Sequence, residues 1–203
     1  MKSIVNPLLL WMVCILPVYG VWMSAVGAEP VEEPVIIDSR MTREEALGNN
    51  TFPPSVLANQ ELVTVRYYSF DGKLHEGQVV LHRDVAEDIR EIFRDIEKSR
   101  FPIAKVIPIV RYNWSDDKSI ADNNTSAFNY RTIAGTKKLS DHAHGRAIDI
   151  NPYLNPWIGK SGVAKRPYNT ERAGTIVAGD VVVQAFKKRG WLWGGSWKNS
   201  RDY

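Results

Sequence analysis

An imidazole and a carboxylate lie seven residues apart in the middle of this chain, at His142 and Asp149. A neutral histidine and an ionised aspartate brought to one point form half of a typical site for a divalent metal, zinc above all. Two ligands do not make a site, however. The alternative is a surface loop that leads into a strand, with His142 and His144 merely exposed. The spacing alone leaves both interpretations open.

The residues that follow predict a strand that would present this carboxylate. Large apolar and polar side chains alternate over residues 146–151, which is typical of a half-buried strand. Because successive side chains of a strand point to opposite faces, we expect Asp149 to project away from the core side taken by Ile148 and Ile150.

The same stretch resembles the signature of a family of zinc peptidases. The pattern Ser-x-His-x-x-Gly-x-Ala-x-Asp is similar to that of the D-alanyl-D-alanine carboxypeptidase family, which includes the VanY-type carboxypeptidases and the L-alanyl-D-glutamate endopeptidases of phage endolysins. The resemblance continues through the arginine-bearing segment 123–131 and the tryptophan-rich end, and covers roughly residues 61–203. Its fixed positions are Ser140, His142, Gly145, Ala147 and Asp149.

The resemblance implies a role for five side chains. His142 and Asp149 match two zinc ligands, and Asp202 matches the general base that takes a proton from the attacking water. Arg131 matches the residue that stabilises the developing oxyanion. Ser140 matches a position that can hydrogen-bond the bound peptide. The cofactor implied is Zn²⁺.

Some of these residues have simple structural alternatives. Arg131 could pair with Asp116 or Asp117, which lie close in the sequence, and Asp202 could be a solvated charge. His144 has no counterpart among the family's ligands, so we expect it to be structural or to line the rim of the site.

The third zinc ligand that the resemblance implies is missing from this sequence. The family pattern continues as Trp-Gly-Gly-x-Trp, then an acidic residue, two others and a histidine. Residues 193–197 and Asp202 match it, and the histidine would fall two residues beyond Tyr203. We therefore expect the zinc peptidase-like domain of residues 61–203 to be truncated at its C-terminus. The tryptophans at 191, 193 and 197 favour core and site-wall packing over carbohydrate stacking.

The N-terminus predicts export. Residues 1–28 combine a positive start at Lys2, an apolar run and the small residues Val26-Gly27-Ala28, as in a cleaved signal peptide. The alternative is an uncleaved anchor, because residues 8–26 approach the length that spans a bilayer. We expect a periplasmic or cell-wall location, with membrane contact only if this segment is retained.

Composition excludes several other classes of protein. Cys14 is the single cysteine, so after cleavage neither disulfides nor thiolate zinc ligands are available. The formal net charge of +3 is too small and too dispersed for electrostatic binding of nucleic acid.

The secondary-structure signals predict a single α+β domain, with a small antiparallel sheet and flanking helices that carry the zinc site. Residues 29–60 are expected to be an N-terminal extension with one short helix near residues 43–47. We expect strands at 62–68, 77–82 and 103–110, and helices near 85–96 and 181–188. Asp84, with Glu87 three residues later, should cap the first of these two helices.

Two functional hypotheses follow. The first is an exported zinc metallopeptidase that hydrolyses an amide bond of the peptidoglycan stem peptide, as a D,D-carboxypeptidase or an L-alanyl-D-glutamate endopeptidase. The second is a catalytically inactive relative that binds cell-wall peptides, because the third ligand is absent from residues 1–203.

Overall fold

Short helices surround three small sheets in the computed structural model. It describes residues 33–48, 50–159, 161–162, 166–198 and 200–203. In chain order, the strands and helices are β1 (Ile36–Ile37), α1 (Arg43–Leu47), α2 (Pro54–Leu57), β2 (Gln60–Tyr68), β3 (Leu74–His82), α3 (Ala86–Ser99), β4 (Lys105–Val106), α4 (Asp116–Ala121), β5 (Asn124–Thr125), β6 (Trp157–Ile158), α5 (Val181–Lys187) and β7 (Arg201–Asp202). Short 3₁₀ helices span Arg83–Val85, Ile109–Tyr112, Asp141–His144 and Gly194–Ser196.

The hairpin of β2 and β3 is the centre of the fold. The two strands pair antiparallel from Gln60↔His82 to Tyr68↔Leu74, and β1 adds to the other edge of β3 in parallel. Alternate residues of β2 are buried while those between them face solvent. β3 lies between two partners and is buried along most of its length. Both predicted strands are confirmed, and each is longer at its N-terminal end than expected.

Helix α3 packs against this hairpin through the predicted apolar stripe. Ile89, Ile92, Phe93 and Ile96 are fully buried in the main core cluster, where each contributes about 1.5–3 kcal/mol. The predicted cap at Asp84 is wrong. A 3₁₀ turn over residues 83–85 precedes the helix, so Asp84 lies too early to accept from its first turn.

Residues 33–60 pack onto the same hairpin. Thr42 and Glu45 form a capping box at the start of α1, which confirms the predicted short helix. The side chain of Gln78 in β3 accepts hydrogen bonds from the Ser39 hydroxyl (2.9 Å) and the Met41 amide (2.6 Å). Residues 33–60 are therefore hydrogen-bonded to the central strand of the sheet and do not merely precede it in the sequence.

The predicted signal peptide of residues 1–28 lies outside the described residues. Within the part of the chain that the structure describes, no helix is both long enough and apolar enough to cross a membrane.

The prediction of a strand over residues 103–110 is wrong for most of its length. Only Lys105–Val106 pairs, in parallel with Asn124–Thr125. The next amide, at Ile107, donates to the Asn124 side chain at 2.9 Å, and Pro108 has no amide hydrogen to donate. The chain then turns into a 3₁₀ helix over residues 109–112.

The alternating pattern at residues 146–151 does not form a strand either. Its one ladder contact is an isolated antiparallel bridge between Asp149 and Ser126, made by two backbone hydrogen bonds of 3.0 and 3.2 Å. Ile150 is buried and Ile148 is partly buried against the core, so the predicted apolar side is retained without a regular sheet.

The second predicted helix is confirmed as α5. Asp180 caps it, since its carboxylate accepts from the amides of Val183 (2.9 Å) and Val177 (2.8 Å). The helix packs on α3 and completes the main core cluster. Helices and small sheets in one compact unit over residues 33–203 confirm the predicted α+β class.

Candidate active site

A 3₁₀ turn at the end of the hairpin holds His142. The Ser140 hydroxyl accepts from the His142 amide at 3.3 Å and caps the turn. Gly145 ends it with φ +66°, and its carbonyl accepts from the His82 amide at the end of β3 (2.9 Å). A Cβ at position 145 would lie 2.2 Å from Gln60 Oε1 and 2.6 Å from that amide nitrogen. Only glycine allows the turn to approach the hairpin this closely.

The ring of His142 is oriented from behind by a backbone carbonyl. Its Nδ1 lies 2.6 Å from the Ala127 carbonyl oxygen, which can only accept, so Nδ1 carries a proton. Nε2 then faces Asp149 Oδ1 at 3.4 Å. Histidines that bind metals usually donate their second ring nitrogen in this way, because the bond fixes the tautomer. The ring is almost fully buried, at 8% exposure.

His142 and Asp149 are electrostatically coupled. Burial acts to lower the pKa of His142, but the charge and hydrogen bond of Asp149 outweigh it and raise that pKa to about 9. Burial acts to raise the pKa of Asp149, and the nearby His142 reverses this and lowers it. In the metal-free protein the two side chains therefore form an ion pair. A cation that replaces the imidazole proton would meet the same carboxylate.

Asp202 comes to the site from a part of the chain that is distant from His142 in the sequence. It lies in β7, which pairs antiparallel with β6 at Trp157↔Asp202. Burial, followed by the negative charge of Asp149, raises the pKa of Asp202 to about 7. Gly194 makes room for it, because a Cβ there would lie 2.6 Å from the Asp202 Cβ and 2.7 Å from its carbonyl oxygen.

These three side chains line one cleft of about 450 Å³. One wall is the face of α5 with Val182, Val183 and Phe186, and another is formed by aromatic residues near the C-terminus. Charged residues from the start of α3 and from the 3₁₀ turn complete the lining. The lining includes the polar and aromatic residues His142, Asp149, Asp202, Asp88, Asp141, Arg146, Arg189, Trp191 and Trp197.

Arg131 lies beside this cleft rather than in its lining. One guanidinium nitrogen forms an ion pair with Asp116 at 3.1 Å, which is one of the alternatives that the sequence left open. Its Nε is buried without a hydrogen-bond partner among the described residues. The charge of Arg131 lowers the pKa of both Asp149 and Asp202, although burial has the larger effect on each. Arg131 is therefore close enough to act on the site electrostatically.

The tryptophans divide into packed and exposed residues. Trp191 and Trp193 pack partly buried against the main core, as the sequence favoured, and the Trp191 indole donates to Asp88 at 3.2 Å. Trp197 is 48% exposed at the cleft.

Sequence reasoning missed several features of this region. The α5 wall and Asp88 enter the cleft from distant parts of the chain, and no short motif marks them. His144 is exposed, two residues from the buried His142. His75 also has contacts that no local pattern marks. It is buried near the start of β3 between Asp38 (2.9 Å) and Asp71 (3.3 Å), where it ties β1 to the hairpin.

His142 and Asp149 are side chains of the types that bind zinc in proteins, and the Ala127 carbonyl orients the imidazole, so the two supply part of the three-ligand set of a catalytic zinc site. Among the described residues, no group of three His, Cys, Asp or Glu side chains is arranged to hold a metal.

Comparison with known protein families finds a match to the C-terminal third of the chain. Residues 134–203 match the D-alanyl-D-alanine carboxypeptidase family. The predicted resemblance is confirmed over this carboxypeptidase segment, which contains Ser140, His142, Asp149 and Asp202. The match is shorter than the predicted 61–203, and Arg131 lies just before it. No curated protein and no solved structure matches the chain.

Proposed function

We propose that this protein is an exported zinc metallopeptidase that hydrolyses an amide bond of the peptidoglycan stem peptide. One observation carries the proposal. His142, Asp149 and Asp202 come from separate elements of the carboxypeptidase segment and line the same cleft. The two alternatives from the sequence, D,D-carboxypeptidase and L-alanyl-D-glutamate endopeptidase, both remain within it.

The metal would be held by His142 Nε2 and a carboxylate oxygen of Asp149, which already face each other. A bound zinc ion supplies an activated water and polarises the scissile carbonyl. The remaining chemistry belongs to side chains of this chain.

Asp202 is suited to general-base catalysis. A carboxyl group with a pKa of about 7 takes a proton near neutral pH and returns it to the leaving amine without a large energetic cost in either direction. Its side chain is half-buried beside Gly194.

Arg131 and Ser140 have supporting roles in the proposal. Arg131 lies beside the cleft and would stabilise a developing oxyanion through its charge, which already acts on Asp149 and Asp202, while Asp116 holds one guanidinium nitrogen. The Ser140 hydroxyl accepts from the His142 amide, and its O–H would be the donor to a bound peptide once the peptide reaches this buried side chain.

An inactive cell-wall peptide-binding relative is the second candidate. Two protein ligands, rather than three, are arranged for a metal in the described part of the chain, which favours weak metal binding. The cleft would still accommodate a peptide. Peptide binding without hydrolysis in the presence of zinc would support this candidate.

Zinc content and stem-peptide hydrolysis of the full chain test the proposal. Wild type should bind zinc and cleave a synthetic stem pentapeptide, and mass spectrometry of the products identifies the bond. His142→Ala should abolish both zinc binding and cleavage. His144→Ala is the matched control, because that exposed imidazole lies two residues away, and it should retain both. Cleavage that survives in His142→Ala would overturn the proposal.

Export is tested separately. A fusion of residues 1–32 to a reporter should be found outside the cytoplasm, with a size that tells removal of the segment from retention. A cytoplasmic reporter would contradict export.

A further inference from the structure

The arginines and the aspartates of the cleft differ in whether they already form ion pairs with other side chains. Its two arginines are neutralised by carboxylates, whereas Asp88, Asp141 and the proposed general base Asp202 form no ion pair with any described residue. We infer that the cleft selects substrates that carry a cationic amine close to the scissile bond, with Asp88 and Asp141 as the specificity-determining residues. Cleavage of these substrates rests on the proposed function, whereas their selective binding does not.

Both cleft arginines are held by acidic side chains. Arg146 lies 2.5 Å from Asp84 and also contacts His82. Arg189, whose side chain is 13% exposed, pairs with Glu91 (3.0 Å) and Asp95 (3.1 Å) on α3. Neither guanidinium is free to compensate an anionic group of a ligand.

The two aspartates have no such compensation. Asp88, in the first turn of α3, accepts one hydrogen bond from the Trp191 indole and forms no ion pair with any described residue. Asp141 is exposed at the start of the 3₁₀ turn, and its side chain has neither a hydrogen bond nor an ion pair within the described ranges. Each therefore presents a net negative charge to a ligand in the cleft.

Physical chemistry turns this asymmetry into selectivity. A ligand that covers an uncompensated carboxylate removes water from it, which costs free energy unless the ligand brings a positive charge. An amine offsets that cost and adds a charge-assisted hydrogen bond, whereas a neutral or acidic group in the same place does not. Because Asp88 is half-buried, screening by salt should reduce the effect without removing it.

The probes are two synthetic stem pentapeptides that differ in one charge. One carries lysine and the other ε-acetyl-lysine at the same position. Wild type should bind the lysine peptide about fivefold more tightly, as for one partly exposed ion pair, and the ratio should fall at high salt. Binding is measured by the fluorescence of the cleft tryptophans, and cleavage is measured in parallel.

Charge variants assign the effect to residues. Asp88→Asn keeps an acceptor for Trp191 and should bring the ratio towards one, as should Asp141→Asn. Asp84→Asn should also lower it, because Arg146 would then face the cleft unpaired. Glu87→Gln is the matched control on α3, since Glu87 pairs with Arg90 and does not line the cleft; its ratio should equal that of wild type.

Equal affinities of wild type for the two peptides, or a preference that persists in the Asp88→Asn/Asp141→Asn double variant, would overturn the inference. These outcomes are distinct from failure of the proposed function. If neither peptide is cleaved but the lysine peptide binds selectively, the inference stands and the peptidase proposal fails.

Discussion

The two sides of the cleft are attached to the molecule in different ways. His142 lies on a turn that is docked against the central hairpin by the Gly145–His82 hydrogen bond, and its ring is buried. Asp202 lies on a two-residue strand that pairs with another two-residue strand, opposite the exposed Trp157. Substitutions that disturb the docking of the first side should therefore lower the stability of the protein, and those on the second side should displace the proposed general base with little effect on stability.

The largest effect is expected from Gly145→Ala. A Cβ there combines a left-handed backbone with two contacts under 3 Å, so we expect a loss of about 2–4 kcal/mol in the free energy of unfolding, measured by urea denaturation. Gly135→Ala is the matched control. Gly135 also has positive φ (+75°), but no atom lies within 4 Å of its Cβ position, and we expect a loss of about 1 kcal/mol. Equal losses in the two variants would show that close docking of the turn is unimportant.

Gly194→Ala tests the other side of the comparison. The added methyl group would push against Asp202, so we expect peptide cleavage to fall by about tenfold or more while the free energy of unfolding changes by less than about 1 kcal/mol. Steady-state kinetics and urea denaturation measure the two quantities. A variant that loses stability but keeps kcat would contradict this division of the cleft.

The α5 wall should give an intermediate result. Asp180→Ala removes the helix cap and leaves the Val183 amide without its acceptor, at a cost of about 1 kcal/mol in thermal or urea unfolding. Asp180→Asn keeps an oxygen for the cap and should recover most of this loss. If both variants were as stable as wild type, the cap would not contribute to stability.

The smallest effect concerns Tyr168, which stacks on Tyr203 with ring centroids 3.7 Å apart and donates to the Ile176 carbonyl at 2.6 Å. Burial, followed by the charge of Tyr203, raises the pKa of Tyr168 to about 12, above the value of about 10 in an unfolded chain. Its contribution to stability is therefore complete below pH 10 and is lost as the pH rises through 12.

Tyr168→Phe should consequently show a shallower loss of stability between about pH 10 and 12 than wild type, with the stacking interaction preserved. Identical slopes for the two proteins would mean that Tyr168 ionises equally in the folded and unfolded states.

Local periodicity predicted the helices well and the irregular segments poorly. The apolar stripe of α3 and the N-cap of α5 depend only on residues that are close in sequence, so a local pattern is enough to predict them. The predicted strand over residues 103–110 failed because pairing there depends on the distant Asn124 side chain and stops before Pro108.

The sequence predicted those site residues that belong to the family signature and missed the others. The signature identified His142, Asp149 and Asp202, and the structure brings all three to one cleft. It could not place Asp88 or the α5 wall, because their position depends on how α3 and α5 pack together. The close approaches at Gly145 and Gly194 likewise follow from tertiary contacts that no local pattern shows.

The docking of the histidine turn on the hairpin also orders events during folding. The hairpin closes through neighbours across a short turn at Tyr68↔Leu74, whereas the Gln60 side chain reaches the His144 carbonyl across 84 residues of sequence. Closing so long a loop is slow compared with forming a hairpin. We therefore expect the turn that carries the imidazole to dock late, so that newly made chains would capture a metal only when the rest of the molecule is already in place.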